Sequence, residues 1–154
     1  MSASLNLNDF ATLVGVVAGT AGLVLGILNH MRDRFKIMVD LQWDLTAMNL
    51  PGYDPAIPWG VIRISNTGRR TAYVSHVAIK LPKGCEETHL LLMDGLEGKK
   101  LEEGAPPMTI PVSQAGLEKY AKDWKRLRAQ VSDSTGNVWM SPRVWRGETP
   151  SWAK

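Results

Sequence analysis

The chain contains a single cysteine, Cys85, and three histidines among 154 residues. One thiol cannot close an internal disulfide, and a zinc framework built on paired cysteines lacks its ligands. A GxSxG elbow, a P-loop and a GxGxxG turn opening a helix are all missing, so the common signatures of nucleophilic and nucleotide chemistry are absent. Charge of one sign is nowhere concentrated. The net charge is +3 and the basic residues form no long run, which speaks against nucleic acid as a partner. Internal repeats and low-complexity segments are also lacking. The most informative absence is local: from Phe10 to Leu28, nineteen consecutive residues carry no charge.

At about 1.5 Å of rise per residue, such a helix covers roughly 28 Å, close to the ~30 Å hydrocarbon core of a bilayer. A soluble core helix of this length would show a polar face, and this one shows none. Asn8 or Asp9 can cap its start, and Asn29, His30, Arg32 and Arg34 close its end in polar and cationic groups. Gly19-Thr20-Ala21 could pass as a processing site for a cleaved leader. Against that, Met1 to Asp9 holds no Lys or Arg and the apolar run continues to Leu28. The expectation is a short segment 1–9 followed by an uncleaved transmembrane helix at 10–31. Its flanks carry Arg32, Arg34 and Lys36 on one side and Asp9 alone on the other. Cationic flanks stay cytoplasmic, which predicts the N-terminus outside and the rest of the chain inside. A lone Cys85 suits a reducing compartment.

Gly15, Gly19, Gly22 and Gly26 fall at i, i+4, i+7 and i+11, one stripe of a helix, with Ala11 extending it by a turn. Two GxxxG units result, and small residues on one face let two helix backbones approach closely. GxxxG pairs also arise by chance in membrane helices, where glycine is common. Four glycines in register favour association with a second copy of the helix.

Roughly a hundred residues remain beyond the helix, enough for one small core without metals or disulfides. Phe35, Ile37, Val39, Leu41, Trp43 and Leu45 alternate with polar residues, the period of a half-buried strand. Pro51, Gly52, Pro55 and Pro58 mark a long loop. Trp59–Ser65 and Thr71–Leu81 are β-rich runs divided by Asn66-Thr67-Gly68-Arg69-Arg70, the pattern of a β-hairpin or a related strand connection. Thr88–Met93 predicts a strand ending at Asp94-Gly95, Leu96–Pro107 a loop, and Met108–Val112 an edge strand bracketed by prolines. Ser113 can cap a short helix reaching Trp124, with Leu117, Tyr120, Ala121 and Trp124 on one face. A strand through Leu127, Ala129 and Val131, a turn at Asp133–Asn137 and a last strand at Val138–Ser141 complete the series.

The run Ile62-Arg-Ile-Ser-Asn-Thr-Gly68, followed by Val74-Ser-His-Val-Ala-Ile79 and Leu81-Pro-Lys-Gly84, resembles the strand–NxG–strand pattern of bacterial immunoglobulin-like modules. The whole layout is similar to uncharacterised single-pass membrane proteins of bacteria and their phages. That resemblance implies a mainly β fold: a transmembrane α-helix, then an immunoglobulin-like β-sandwich of about seven strands with one short helix at 35–142, then a tail at 143–154. It implies a bacterial inner membrane as the setting and specifies no activity, since one sandwich hosts many functions.

Candidate sites are few. Cys85, Glu86, Glu87 and His89 gather potential ligands within five residues, but no second pair exists to complete a metal site, so a polar loop is the expected reading. Arg69 and Arg70 can grip a phosphate or an acidic partner, or merely keep a turn soluble. In the tail, Trp145, Arg146 and Trp152 combine residue types enriched at membrane interfaces and binding hot spots. The alternative is that Trp139 and Trp145 close one end of the sandwich and leave a frayed terminus. Catalytic residues, cofactor and metal are not expected. The sequence thus predicts a non-enzymatic, membrane-anchored interaction module with the lipid bilayer, a homo-oligomeric helix and an unidentified protein as partners. Its rivals are a lipid- or small-ligand-binding sensor and an oligomeric pore or lysis component.

Overall fold

Two periodicities in the sequence become two units in the structure, Met1–Arg34 and Phe35–Lys154. The computed structural model describes residues 7–33, 36–48, 51–93, 99–144 and 147–154. Helix α1 spans Leu7–Arg32, beginning three residues before the segment expected from hydropathy. Asp9 in its first turn complements the positive end of the helix dipole. Within it lies the candidate membrane span Asn8–Met31, whose most apolar stretch of 18 residues has a mean hydropathy of 2.2 and contains no buried residue. Large side chains point outward all round, with Phe10 61%, Val16 61% and Leu25 65% exposed.

The second unit is a β-sandwich of two antiparallel sheets. Strands β1 (Ile37–Thr46), β2 (Pro58–Asn66) and β6 (Met108–Ser113) form the first, in the order β1-β2-β6. Strands β3 (Ala72–Lys80), β4 (His89–Met93), β5 (Lys99–Leu101), β7 (Arg128–Asp133) and β8 (Val138–Met140) form the second. Its order is β4-β3-β7-β8, with β5 pairing the opening residues of β3 on the edge that β4 shares. A 3₁₀ helix, Glu118–Arg126, precedes β7, and a second one, Ser151–Ala153, ends the chain.

Alternation drives the core. Ile62 and Ile64 of β2, Val74 and Ile79 of β3, and Ala129 and Val131 of β7 are completely buried, and the inward residues of β1 and β6 meet them. Adjacent Val77 and Ala78 are both buried because the β3–β4 register shifts between them. Leu117, Tyr120 and Trp124 of the 3₁₀ region turn inward as their spacing predicts. Ser113, however, ends β6 rather than capping the helix, and its hydroxyl accepts the Ala115 N–H instead. Edge position for β6 suits Pro111, which has no N–H to offer a further strand.

Three expectations need correction. Strands β2 and β3 are not a hairpin: β2 pairs with β1 and β6, while β3 belongs to the other sheet. The Asn66 side chain holds this corner, donating to the carbonyls of Arg70 (2.7 Å) and Leu101 (2.9 Å) and accepting the Gly68 N–H (3.0 Å). An Asn-Gly segment here turns the chain between layers because the buried amide bonds backbone that no strand would satisfy. The alternation of β1 also stops short. Its register slips between Gln42 and Leu45, with Asp44 at φ 58°, so Leu45 points outward. Finally, the predicted loop 96–107 contains β5. The expected turn at Asp94-Gly95 lies outside the described residues.

Candidate functional site

Gly15, Gly19, Gly22 and Gly26 share the stripe that their spacing predicts. A Cβ placed on any of them would meet nothing within 4 Å. Nothing within the helix requires glycine at these positions. The only polar side chains between Phe10 and Leu28, Thr12 and Thr20, each donate to the carbonyl four residues back, at 2.8 Å. Their hydroxyls therefore need no outside partner, the arrangement an apolar solvent demands. Of the flanking cations, Lys36 is exposed and its carbonyl accepts the Thr67 N–H at 2.7 Å. Arg34 and the side chain of Arg32 lie outside the described residues.

Arg69 and Arg70 are exposed on the corner between the sheets. Trp152 is not the exposed tail residue that the sequence suggested. It is buried and meets Trp43 edge-on, with ring centroids 5.4 Å apart. The bulge at Asp44 explains the docking: its carboxylate accepts the Ser151 N–H (2.8 Å) and hydroxyl (2.5 Å). Oriented to satisfy both groups, the buried Gln114 amide also bonds Asp44, donating to its carboxylate and accepting its backbone N–H. The terminal segment thus belongs to the domain. Neither indole N–H of this pair finds an acceptor among the described residues. Trp145 and Arg146, the other residues singled out in the tail, lie outside the described residues.

The Cys85–His89 segment ties the domain together. Glu87 accepts hydrogen bonds from Lys119 Nζ (2.7 Å) and the Tyr120 hydroxyl (2.8 Å). Those bonds, that of Lys119 first, lower the Glu87 pKa to about 2, and the same pairing raises the Lys119 ammonium. The segment after β3 is thereby fastened to the 3₁₀ helix. His89 instead faces Gln130, with Nε2 and Oε1 3.2 Å apart, and Cys85 is half-buried. No group of three metal-ligating side chains occurs among the described residues. Asp133 organises the β7–β8 turn. Burial raises its pKa, but bonds from the side chains and N–H groups of Asn137 and Thr135 outweigh that and lower it. Gly136, at φ 86°, completes the turn where a side chain would strain.

Sequence reasoning missed one grouping. At the far end of β3 from Arg69 and Arg70, a groove of about 370 Å³ is lined by Lys80, Lys83, Arg126, Arg128 and Arg143 over apolar Leu81, Pro82 and Met140. None of its lining residues is acidic. The five cations come from β3, the segment after it, the 3₁₀ helix, β7 and the segment after β8, so no linear run announces them. Only the pairing of Lys80 opposite Arg128 across β3 and β7 could have signalled it, and that register is not readable from sequence. No protein-family profile matches this chain, and no curated protein matches it in sequence.

Proposed function

We propose that the protein is a membrane-anchored, non-enzymatic interaction module, in which α1 crosses the bilayer and the sandwich presents binding surfaces beside it. One observation carries the reading: within the helical span Asn8–Met31, nineteen consecutive uncharged residues, Phe10 to Leu28, are all exposed and none is buried against the rest of the chain. Burying a Leu or Val side chain contributes about 2 kcal/mol, so a helix exposing this many must find a nonaqueous setting. The internally bonded Thr12 and Thr20 support a lipid setting. Open space beside Gly15, Gly19, Gly22 and Gly26 supports pairing with a second copy, because close backbone approach is what glycine there would provide.

The strand order supports an immunoglobulin-like assignment for the sandwich. Sheets β1-β2-β6 and β4-β3-β7-β8 correspond to strands A-B-E and C′-C-F-G of such domains. In this reading the setting is a bacterial inner membrane, with the sandwich on the cytoplasmic side through the Arg32, Arg34 and Lys36 flank. Deleting residues 1–34 should yield a folded, soluble domain. A shortened chain that is unfolded or still sediments with membranes defeats the proposal. Sidedness is read from Cys85, labelled with a membrane-impermeant thiol reagent in intact and lysed spheroplasts. Protection only before lysis places the domain inside, and labelling of intact spheroplasts places it outside.

A further inference from the structure

The basic groove lies wholly within the sandwich, and its composition is costly to the fold. Lys80 and Arg128 stand directly opposite each other across β3 and β7. Like charges in that position destabilise a sheet. Carboxylates relieve little of this, because among the five lining cations only Arg126 has an acidic partner among the described residues, Asp123 at 3.0 Å. Arg128 is fixed differently. Its Nε donates to the Ser141 carbonyl at 2.6 Å, which orients the guanidinium and leaves its Nη groups without a partner among the described residues. Ser141 is in turn held by reciprocal bonds with Ala129, its N–H donating to the Ala129 carbonyl (2.8 Å) and its hydroxyl accepting the Ala129 N–H (3.0 Å). The guanidinium is therefore aimed by the sheet itself. Lys83 and Arg143 are exposed at the rim without partners among the described residues.

We propose that this groove binds a small organic phosphate, held by Arg128 and Arg143 guanidinium groups and by the Lys80 and Lys83 ammonium groups. Oriented guanidinium beside point-charge ammonium is the combination that grips a phosphate oxyanion. A volume of about 370 Å³ lies near the small end of ligand pockets, which fits one phosphorylated headgroup or metabolite and leaves no room for an extended polymer. Met140 and Leu81 give the groove an apolar wall, suited to the carbon portion of the ligand. Phosphomonoester metabolites and the headgroup of phosphatidic acid share this chemistry. The inference does not depend on the membrane reading, because the groove is complete within the sandwich.

The test uses the full chain in nonionic detergent micelles, with pyrophosphate, short-chain phosphatidic acid and, as the zwitterionic control, short-chain phosphatidylcholine. Thermal unfolding and equilibrium titration are followed through tryptophan fluorescence. An anion that binds only the folded state raises the unfolding midpoint, and its affinity falls as salt rises. Lys83→Gln and Arg143→Gln, both at exposed positions, should each weaken binding about tenfold. Lys99→Gln, at the opposite end of β3, should leave binding unchanged. A response to both anions assigns recognition to the phosphate group itself. A response to phosphatidic acid alone assigns the ligand to a lipid, and a response to pyrophosphate alone to a soluble phosphate. No saturable binding of either anion overturns the proposal. So does undiminished binding by both groove variants, or an equal loss in Lys99→Gln.

Discussion

Val16 and Val74 are the same side chain in opposite circumstances. The first, on α1, is 61% exposed, and the second, on β3, is completely buried. Gly19 and Gly60 divide in the same way. A Cβ on Gly19 would meet nothing within 4 Å, whereas one on Gly60 would fall 2.7 Å from the Trp43 ring. In the sandwich, the core apolar residues and Gly60 are explained by what they touch inside the chain, and glycines such as Gly136 by a positive φ. On α1 neither is, so the explanation lies outside it. Hydropathy and period both separate them: alternation for the layer that builds its own interior, unbroken apolarity for the helix that borrows one.

The contrast breaks most visibly through core deletion. Ile64→Ala should destabilise the sandwich by about 4 kcal/mol in chemical denaturation, through lost burial and the cavity left behind. Ile27→Ala on α1, a 52% exposed position, should leave the same transition unmoved. If both shift it equally, α1 is part of the domain core. Trp152→Ala should cost about 3 kcal/mol, while Trp152→Phe, which also removes an indole N–H lacking a partner, should cost less. Unchanged stability in Trp152→Ala would return the C-terminal segment to the surface. Gly60→Ala should cost about 2 kcal/mol because the Trp43 ring must shift, and Gly19→Ala should cost the sandwich nothing.

The smallest effect is electrostatic. Glu87 has a folded pKa of about 2, below its unfolded value near 4.5. Its bonds to Lys119 and Tyr120 therefore contribute fully above pH 4.5, and that contribution is lost as pH falls toward 2. Unfolding midpoints measured across this window should converge for the native chain and Glu87→Gln at the acid end. Parallel pH profiles for the two proteins would remove Glu87 from its structural role. The pair is exposed to solvent, so the difference should also shrink with added salt.

Local patterns carried the helix, the inward residues of β1, the Asp133–Asn137 turn and the edge position of β6 into the sequence reading, because each depends on neighbours a few residues apart. What stayed hidden depends on distant ones. Asp44 lies 107 residues from Ser151, and without that bond the bulge ending the alternation of β1 and the burial of Trp152 have no visible cause. Asn66 looked like a hairpin turn because its bond to Leu101, 35 residues on, cannot be anticipated from an Asn-Gly pattern. The basic groove is the extreme case. Its cations are scattered along the chain, whereas Arg69 and Arg70, adjacent in sequence and therefore conspicuous, line no part of it.

Alkaline extraction of membranes carrying the full chain tests most directly whether α1 belongs to a different solvent from the sandwich. Retention in the alkali-washed membrane pellet, with detergent needed for release, is the expected result. Release of the intact chain into the alkaline supernatant would show that the apolar surface of α1 is covered by protein, and would contradict the assignment of this helix to the bilayer.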